Sequence, residues 1–252
     1  MRLITRILKF IYTIWVAVTY IPFLVFFVVV VYISNLFFDE IRAYRIVLFY
    51  IHYWSAIWGF ICGIRFKVID RDKVPNDRPY VFICNHRSSL DAMLWGYSNN
   101  FLVKGLAKKE LMKVPLIGFL FRKTCVVVDR GSKESRKESF KQLRDYFDKN
   151  VSIFFFAEGT RNKTEQPLKS FYDGAFRMAI ELQEPLAPLV MCNTAHLMPT
   201  SSMLYKPGIT KCVFLDPVPT TGLTLDDLPE LKEKVYKTME QAILKHDIRF
   251  AK

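Results

Sequence analysis

A long uncharged segment near the N-terminus constrains this chain more than any other feature. No Asp, Glu, Lys or Arg occurs in residues 10–38, a run of 29 positions that follows Arg2, Arg6 and Lys9. About twenty apolar residues in a helix are enough to cross the hydrocarbon core of a bilayer. A cleaved signal peptide has a shorter apolar core and small residues at its cleavage site, and this segment has neither. The sequence therefore predicts that residues 10–38 are embedded in a membrane.

A second apolar segment, residues 46–64, follows a short charged break. Its His, Tyr and Trp side chains have polar tips, which favour the membrane interface. The two segments form either a hairpin that spans the bilayer or a pair of helices embedded in one leaflet. A third interpretation makes residues 46–64 a core helix of a soluble domain. In both membrane arrangements the two ends lie on the same side, and the flanking basic residues place that side in the cytoplasm.

The chain therefore divides into two parts. We expect a membrane-embedded two-helix segment at residues 1–65 and one polar domain at residues 66–252, held on the cytoplasmic face of the cytoplasmic membrane. The five cysteines are scattered through apolar runs, which is typical of reduced packing residues. Their spacing shows no metal-binding pattern, and no glycine-rich nucleotide loop is found, so we expect no metal and no tightly bound cofactor.

The positive charge is unevenly distributed. Of the formal net charge of +12, residues 1–67 carry +5 (seven basic, two acidic) and residues 104–144 carry +8 (twelve basic, four acidic). Such a surface attracts nucleic acid, anionic lipid or phosphate groups. Beside a membrane segment, membrane lipid and phosphorylated substrates are the favoured partners, and nucleic acid is not expected. For residues 133–144 a simple solvated helix face remains an alternative, because apolar residues there recur with helical spacing.

From residue 66 onwards, strand-like and helix-like segments alternate. Short apolar runs rich in Val, Ile and Phe predict strands, and apolar residues spaced three and four apart predict helices. The predicted strands lie near residues 66–70, 80–84, 101–105, 124–128, 152–156, 186–191 and 211–215. The predicted helices lie near residues 90–98, 116–122, 132–149, 173–183 and 229–246. This alternation predicts an α/β fold with a mixed, mostly parallel sheet flanked by helices on both faces.

The run Y-V-F-I-C-N-H-R-S-S-L-D, residues 80–91, places polar side chains where a buried strand ends and a helix begins. Ligands of open α/β sheets bind beyond the strand ends. His86 and Asp91 are five residues apart, which on one continuous helix would separate them by about 140°, so they meet only if His86 lies on the turn before the helix. There Asp91 would accept the Nδ1 proton and leave Nε2 as a base. The alternative is that Asp91 only favours the helix N-terminus while His86 packs or caps.

A second run, I-F-F-F-A-E-G-T-R at residues 153–161, repeats this design of an apolar strand followed by a polar turn. The N-H-x-x-x-x-D and E-G-T-R runs, in this order and about seventy residues apart, resemble those of the glycerolipid acyltransferases. Among these they are most similar to the bacterial 1-acyl-sn-glycerol-3-phosphate acyltransferases (lysophosphatidic acid acyltransferases). Ala157 stands where many members of the family have proline, which alters the rigidity of the turn but removes no functional group.

The resemblance extends to three further runs. T-C-V-V-V-D-R, residues 124–130, is similar to the family's second motif, and Arg130 is therefore a candidate phosphate contact. The alternative is that Asp129 and Arg130 form a structural pair. The proline-containing strand at residues 185–190 resembles one thought to line the acyl or acceptor site. The run that contains Lys169 is similar to a lysine and glycine run before a helix, and Lys169 either faces a phosphate or faces water.

The resemblance implies an enzyme that transfers a fatty acyl group from an acyl thioester to the 2-hydroxyl of lysophosphatidic acid, giving phosphatidic acid. His86, oriented by Asp91, would be the general base, and the donor would be acyl-CoA or acyl carrier protein as co-substrate. No acyl-enzyme is required, since no G-x-S-x-G elbow surrounds Ser88 or Ser89. An apolar tunnel is then expected between the N-terminal segments and the motif-bearing strand ends.

The E-G-T-R run supplies the remaining candidates. Arg161 is the best candidate for the acceptor phosphate, because a guanidinium meets phosphate in a bidentate fork. Gly159 allows close backbone approach, and Thr160 adds a hydroxyl contact. Glu158 is expected to bond the glycerol hydroxyl or to orient Arg161. Two alternatives remain: a family member that acts on glycerol 3-phosphate or another lysolipid, and a non-catalytic membrane protein that binds lipid.

Overall fold

The computed structural model describes residues 2–202 and 204–251, and it begins with two long helices, α1 (Arg2–Phe37) and α2 (Glu40–Ile61). Pro22 lies inside α1, which continues through it. Within the described residues, α1 is the one helix long and apolar enough to cross a membrane, judged by length and composition. The side chain of Asp39, between the two helices, accepts the backbone N–H of Arg42 and so caps the N-terminus of α2.

One face of α2 packs on the domain and the other is exposed. Trp58 and Val47 are buried, whereas Phe60 is 87% exposed and Phe49 is 61% exposed. The helix thus combines features of two interpretations that the sequence left open, a domain helix and a membrane helix. The first strand begins at Ile64, inside the segment predicted for the membrane, because the chain turns directly from α2 into the sheet.

α1 is joined to the domain through hydrogen bonds near its start. The Tyr12 hydroxyl donates to the backbone oxygen of Cys62, and Thr13 Oγ1 accepts the backbone N–H of Tyr205 at 2.8 Å. These bonds connect α1 both to the end of α2 and to the loop that contains Tyr205. The helix is therefore held at a fixed position relative to the sheet.

Seven strands form one sheet, in the order β1-β7-β6-β2-β5-β3-β4. The strands are β1 Ile64–Ile69, β2 Val81–Cys84, β3 Val103–Lys108, β4 Cys125–Val128, β5 Ser152–Phe156, β6 Leu186–Cys192 and β7 Gly208–Phe214. Every neighbouring pair is parallel except β6 with β7, which is antiparallel. The predicted mixed, mostly parallel sheet is confirmed.

Helices cover both faces of this sheet. They are α3 Leu90–Ser98, α4 Ile117–Thr124, α5 Lys133–Phe147, α6 Gly174–Leu182, α7 Thr194–Leu197 and α8 Leu228–His246, with short 3-10 helices at Arg71–Lys73, Lys109–Lys113 and Leu225–Asp227. On one face, Leu143 of α5, Phe176 of α6 and Val235 of α8 share a core. On the other, Leu94 of α3 packs with Phe82 in a second core.

The pairing between β3 and β5 is short. Residues 103–105 pair with residues 152–154, and beyond Gly105 the strand β3 pairs only with β4. β5 continues for two more residues, Phe155 and Phe156, which pair with β2 on their other side. The sheet therefore opens between β3 and β5 at the carboxyl ends of both strands.

Candidate active site

His86 and Asp91 lie at the carboxyl end of β2, on the turn that leads into α3. β2 ends at Cys84 and α3 begins at Leu90, so His86 precedes the helix and its ring reaches the carboxylate. The His86 Nδ1 and Asp91 Oδ2 atoms are 2.7 Å apart. Because a carboxylate accepts hydrogen bonds and does not donate them, the proton of this bond lies on Nδ1, and in the neutral ring Nε2 then has a free lone pair.

Asp91 also holds the backbone of the same turn. Its side chain is fully buried, and Oδ2 accepts the backbone N–H groups of Arg87 and Ser88 at 2.8 and 2.9 Å. The carboxylate thus satisfies donors at the helix N-terminus and pairs with His86 at the same time. The two interpretations of the sequence at this position are therefore compatible.

Glu158 is buried behind the site and does not orient Arg161. Its Oε1 accepts the backbone N–H of His86 at 3.0 Å, and its Oε2 accepts the backbone N–H of Lys169 at 3.1 Å. The side chain is 0% exposed, and this burial raises the pKa of the carboxyl group. Of the two roles expected for Glu158, orienting Arg161 is therefore wrong, and bonding to the glycerol hydroxyl stays a prediction. The carboxylate instead ties together two backbone turns, and its position depends on the pairing of β2 with β5.

Backbone hydrogen bonds join the turns that follow β2 and β5. Ala157 donates its N–H to the carbonyl of Cys84 at 2.8 Å, and Asn162 donates to the carbonyl of His86 at 2.6 Å. The Arg161 guanidinium donates through Nη1 to Ser89 Oγ at 2.9 Å, next to the His86 turn. The two sequence runs therefore meet at one edge of the sheet.

Three cations surround the turn at Gly159 and Thr160. Arg130 donates through Nη1 to the Gly159 carbonyl at 2.5 Å, and Lys169 Nζ donates to Thr160 Oγ1 at 2.9 Å. Arg161 is the third. Among the described residues, none of the three forms an ion pair, so their charges are not neutralised by the protein. The predicted phosphate candidates are thus brought together by the structure.

Gly159 is required by the conformation and by a neighbour. Its φ angle is +64°, and a Cβ atom at this position would lie 2.8 Å from the ring of Tyr172. Glycine adopts this conformation without a steric penalty. The group that closely approaches the Gly159 backbone in this structure is therefore the exposed ring of Tyr172. The sequence interpretation did not include this residue.

A cavity of about 1570 Å³ fills the opening between β3 and β5. α1 and α2 contribute apolar side chains to its wall, and these include Phe23, Leu24, Phe27 and Trp54. Phe156 lines the cavity, and its ring stacks on the His86 ring with centroids 4.0 Å apart. The apolar space expected between the N-terminal segments and the strand ends is present, and it extends as far as Phe156, beside His86.

Comparison with known proteins assigns the family. A model of the acyltransferase family matches residues 65–192. The chain belongs to the acyltransferase family. An uncharacterized acyltransferase of Schizosaccharomyces pombe is 31% identical over 74% of this chain and 68% of its own length. Human 1-acyl-sn-glycerol-3-phosphate acyltransferase alpha is 29% identical over 80% of this chain and 69% of its own. The 1-acyl-sn-glycerol-3-phosphate acyltransferase of Haemophilus influenzae is 29% identical over 71% and 76%.

A solved structure shares the fold of this acyltransferase. It is the crystal structure of PlsC, the 1-acyl-sn-glycerophosphate (LPA) acyltransferase of Thermotoga maritima, with a TM-score of 0.76 and 25% sequence identity. The match covers 96% of each chain, so the N-terminal helices belong to the shared fold. The family predicted from the two sequence runs is confirmed.

Arg87 is a site residue of the acyltransferase that sequence reasoning missed. Its guanidinium is buried and donates to three carbonyl groups of the loop after the E-G-T-R run, those of Thr164, Gln166 and Pro167, at 2.6 to 3.1 Å. The ring of Phe250 covers the guanidinium at 5.3 Å. The sequence did contain a signal for this role, because Arg87 is a charged residue in a run that otherwise leads into a buried turn. Arg87 thus fixes one turn of the site to the next loop.

The acyltransferase site is suited to acid-base chemistry. It combines a histidine with a defined tautomer, a buried carboxylate and nearby unpaired cations. Within the part of the chain that the structure describes, no group of three or more His, Cys, Asp or Glu residues is arranged to hold a metal ion. The His86 ring, with its Nδ1 bonded to the buried Asp91, is the candidate proton acceptor of this site.

Proposed function

We propose that this acyltransferase transfers a fatty acyl group from an acyl thioester to the 2-hydroxyl of 1-acyl-glycerol-3-phosphate, which gives phosphatidic acid. The names of the human and Haemophilus influenzae relatives and of the Thermotoga maritima structure support this acceptor. The observation that carries the proposal is the 2.7 Å hydrogen bond between His86 and the buried Asp91, next to a turn surrounded by three unpaired cations. The proposal joins a base for the hydroxyl to a site for the phosphate.

In this mechanism His86 acts as a general base. Nε2 takes the proton of the acceptor hydroxyl while that oxygen bonds to the thioester carbonyl carbon. The tetrahedral intermediate then expels the thiolate, so the C–S bond breaks as the carbonyl re-forms. The imidazolium returns its proton to sulfur, which leaves a free thiol and a neutral histidine. Asp91 stabilises the imidazolium between the two transfers and keeps Nδ1 protonated.

The neighbouring serines have other contacts, which argues against a covalent acyl-enzyme. The Ser88 hydroxyl donates to the carbonyl of Met198 at 2.8 Å, and Ser89 Oγ accepts the Arg161 guanidinium at 2.9 Å. Neither serine has a hydrogen bond to the His86 ring among the described contacts. Direct attack by the acceptor hydroxyl is therefore the simpler route.

The cations around the E-G-T-R turn would bind the acceptor phosphate. Arg161 and Lys169 donate to the hydroxyl groups of Ser89 and Thr160, and phosphate oxygens can replace these neutral acceptors. Hydrogen bonds from cations to an anion are stronger than those to neutral groups. A phosphate held there would place the glycerol hydroxyl near His86. Arg130, from the other side of Gly159, would contribute the third contact.

The cavity and the N-terminal helices would serve the lipid parts of the reaction. The apolar wall formed by α1 and α2 suits a fatty chain, whose burial is favoured by the hydrophobic effect. Most of the large apolar side chains of α1 are exposed, which supports its embedding in a membrane. The basic residues that flank the apolar segments support a catalytic domain on the cytoplasmic face of the cytoplasmic membrane. There it would meet acyl-CoA or acyl carrier protein as co-substrate.

Thiol release from a fatty acyl-CoA tests the reaction and the base together. The wild-type protein is assayed in detergent with three acceptors: lysophosphatidic acid, glycerol 3-phosphate and lysophosphatidylcholine. We expect turnover with lysophosphatidic acid at least tenfold above the other two. His86→Ala should lower kcat by about 10²- to 10⁴-fold, the usual contribution of a general base.

His246→Ala is the matched control, because His246 lies at the end of α8, on another part of the sheet. It should keep wild-type turnover. If His86→Ala keeps wild-type turnover as well, the base assignment is wrong. If glycerol 3-phosphate or lysophosphatidylcholine is the better acceptor, the family assignment stands and the substrate assignment fails.

A further inference from the structure

Four of the five basic residues of α5 lie in one line on its exposed side, and the fifth, Arg136, donates to the backbone carbonyl of Arg130. The four recur four, four and three positions apart, which puts them on one strip of a helix with 3.6 residues per turn. This α5 basic strip consists of Lys133, Lys137, Lys141 and Arg144, all exposed. From the first to the last it extends over eleven residues, or about 16 Å along the helix.

The strip borders the cavity, and the acidic residues of the same helix do not. All four of its members line the cavity. The acidic residues Glu134, Glu138 and Asp145 are absent from that lining. The helix is therefore oriented with its cations toward the cavity mouth and its carboxylates away from it. A merely solvated helix face, which the sequence left open, does not explain this orientation.

The charges of the strip are not neutralised within the protein. Among the described residues no ion pair involves the strip, whereas Arg177, Lys232 and Lys237 on α6 and α8 each contact a carboxylate. Like charges four residues apart on a helix destabilise it by about 0.2–0.5 kcal/mol per pair. The strip contains two such pairs, Lys133 with Lys137 and Lys137 with Lys141. No ion pair with a carboxylate offsets this repulsion, and an anionic partner would.

The cavity connects the strip to the reaction centre. It passes from α5 through the opening between β3 and β5 to Phe156, whose ring stacks on His86. Arg130 lies on the same lining and donates to the carbonyl of Gly159. A molecule bound at the strip would therefore stand at the entrance through which an acyl chain reaches the histidine.

The shape of the strip favours a protein partner. Phosphate groups of small cofactors are bound where donors converge, as at helix N-termini and in backbone nests. The strip instead spreads four long side chains along the outside of a helix. Such a surface matches an acidic protein face of similar length, because charges on both rims steer the encounter and fix its orientation.

We propose that the α5 basic strip is the docking surface for an acidic carrier protein that presents the fatty acyl group as a thioester on a flexible arm. The arm would enter the cavity mouth between α5 and α6, and the thioester would reach the space beside Phe156. This inference rests on the proposed function, since it names the donor of that reaction. It assigns the contact with the carrier protein to α5, and not to the turns that carry His86 and Arg161.

The double charge reversal Lys137→Glu with Lys141→Glu tests the surface. The donors are palmitoyl acyl carrier protein and palmitoyl-CoA, each with lysophosphatidic acid in neutral detergent. We expect the loss of kcat/KM to be at least ten times larger with the carrier protein, mainly through a higher KM. Raising the salt concentration should weaken wild-type turnover of the carrier donor and should affect the variant less. The matched control is Lys234→Glu with Lys245→Glu, two exposed cations of α8.

Binding of the carrier protein without an acyl group separates this inference from the reaction. Measured by surface plasmon resonance, it should be present for wild type and weakened at least tenfold by the α5 reversal. Binding without any turnover would support the surface and contradict the proposed function. Turnover from palmitoyl-CoA without binding of the carrier protein would support the proposed function and contradict the docking surface. An equal loss with both donors, or a loss seen only on vesicles of anionic lipid, would overturn the inference.

Discussion

The two edges of β5 differ in what they offer the site. Along one edge, residues 153–156 pair with all of β2, and the turns beyond are joined by backbone hydrogen bonds and by the Glu158 carboxylate. Along the other edge, pairing with β3 stops at Phe154, and the strands separate around a cavity. β5 therefore borders a rigid, fully paired region on its β2 side and an open cavity on its β3 side.

This difference matches the needs of the two halves of the proposed reaction. A displacement of about 1 Å at the reacting atoms costs about 10²-fold in rate, so the histidine and the phosphate cations need fixed positions. A fatty chain needs apolar volume rather than directed contacts. Changes on the β2 side should therefore affect the chemical step, and changes on the β3 side should affect the choice of acyl chain.

The largest effect is expected at Asp91, on the rigid side. Asp91→Asn keeps the size of the side chain, but an amide does not stabilise an imidazolium and can select the other histidine tautomer. We expect kcat for thiol release to fall by about 10²- to 10⁴-fold. KM for the acyl donor should change little, because the cavity is untouched. Thermal unfolding of the variant shows whether a loss of activity comes from the chemistry or from loss of the folded protein. A folded variant with the wild-type kcat would contradict the role of the His86–Asp91 pair.

A smaller effect is expected on the open side. Leu106 lies on β3 and lines the cavity. Leu106→Trp should narrow the space and lower kcat/KM for a palmitoyl donor about tenfold relative to an octanoyl donor, a discrimination typical of apolar pockets. The ratio of the two donors is the measurement. Leu143→Met serves as a control, because Leu143 belongs to the core under α5 and the change conserves volume. An unchanged chain-length ratio would argue that the acyl group lies elsewhere.

The smallest effect concerns stability and its dependence on pH. Burial raises the pKa of Glu158 above 4.5, the ordinary value that applies in the unfolded chain. The folded state therefore binds the proton of this carboxyl group more tightly than the unfolded chain does. The contribution of this group to stability is therefore full below pH 4.5 and is lost as pH rises through the raised pKa. Glu158→Gln removes this dependence. At low pH it should cost about 1 kcal/mol, because one backbone N–H loses its acceptor.

Urea unfolding of wild type and of the Glu158→Gln variant at a series of pH values checks this sign. The stability difference between the two proteins should shrink as pH rises above 4.5. A difference that grows with pH would mean that the folded state favours the ionised carboxylate, contrary to the burial argument.

The sequence predicted the elements of this fold well because its signals are local. Strand and helix positions followed from runs of Val, Ile and Phe and from helical spacing, and the buried stripe of α8 at Leu231, Val235, Met239 and Ile243 lies where it was expected. His86 and Asp91 were also predictable, because a spacing of five residues leaves only one way for them to meet.

The features that the sequence missed depend on distant pairing. Glu158 reaches the backbone of His86 across 72 residues, and only the register between β2 and β5 decides this contact. The opening of the sheet depends on where β3 and β5 stop pairing, which no local pattern reveals. For the same reason the basic residues of α5 were compatible with a solvated face until the position of the cavity was known.

The hydrogen bonds that hold α1 have a consequence for where a lipid can react. Tyr12 and Thr13 attach the helix to the end of α2 and to the loop that contains Tyr205. If α1 is immersed in a leaflet, as the proposed function requires, these attachments keep the distance between the His86 ring and the headgroups constant. The proposed lysolipid acceptor would then reach the histidine by diffusing within that leaflet.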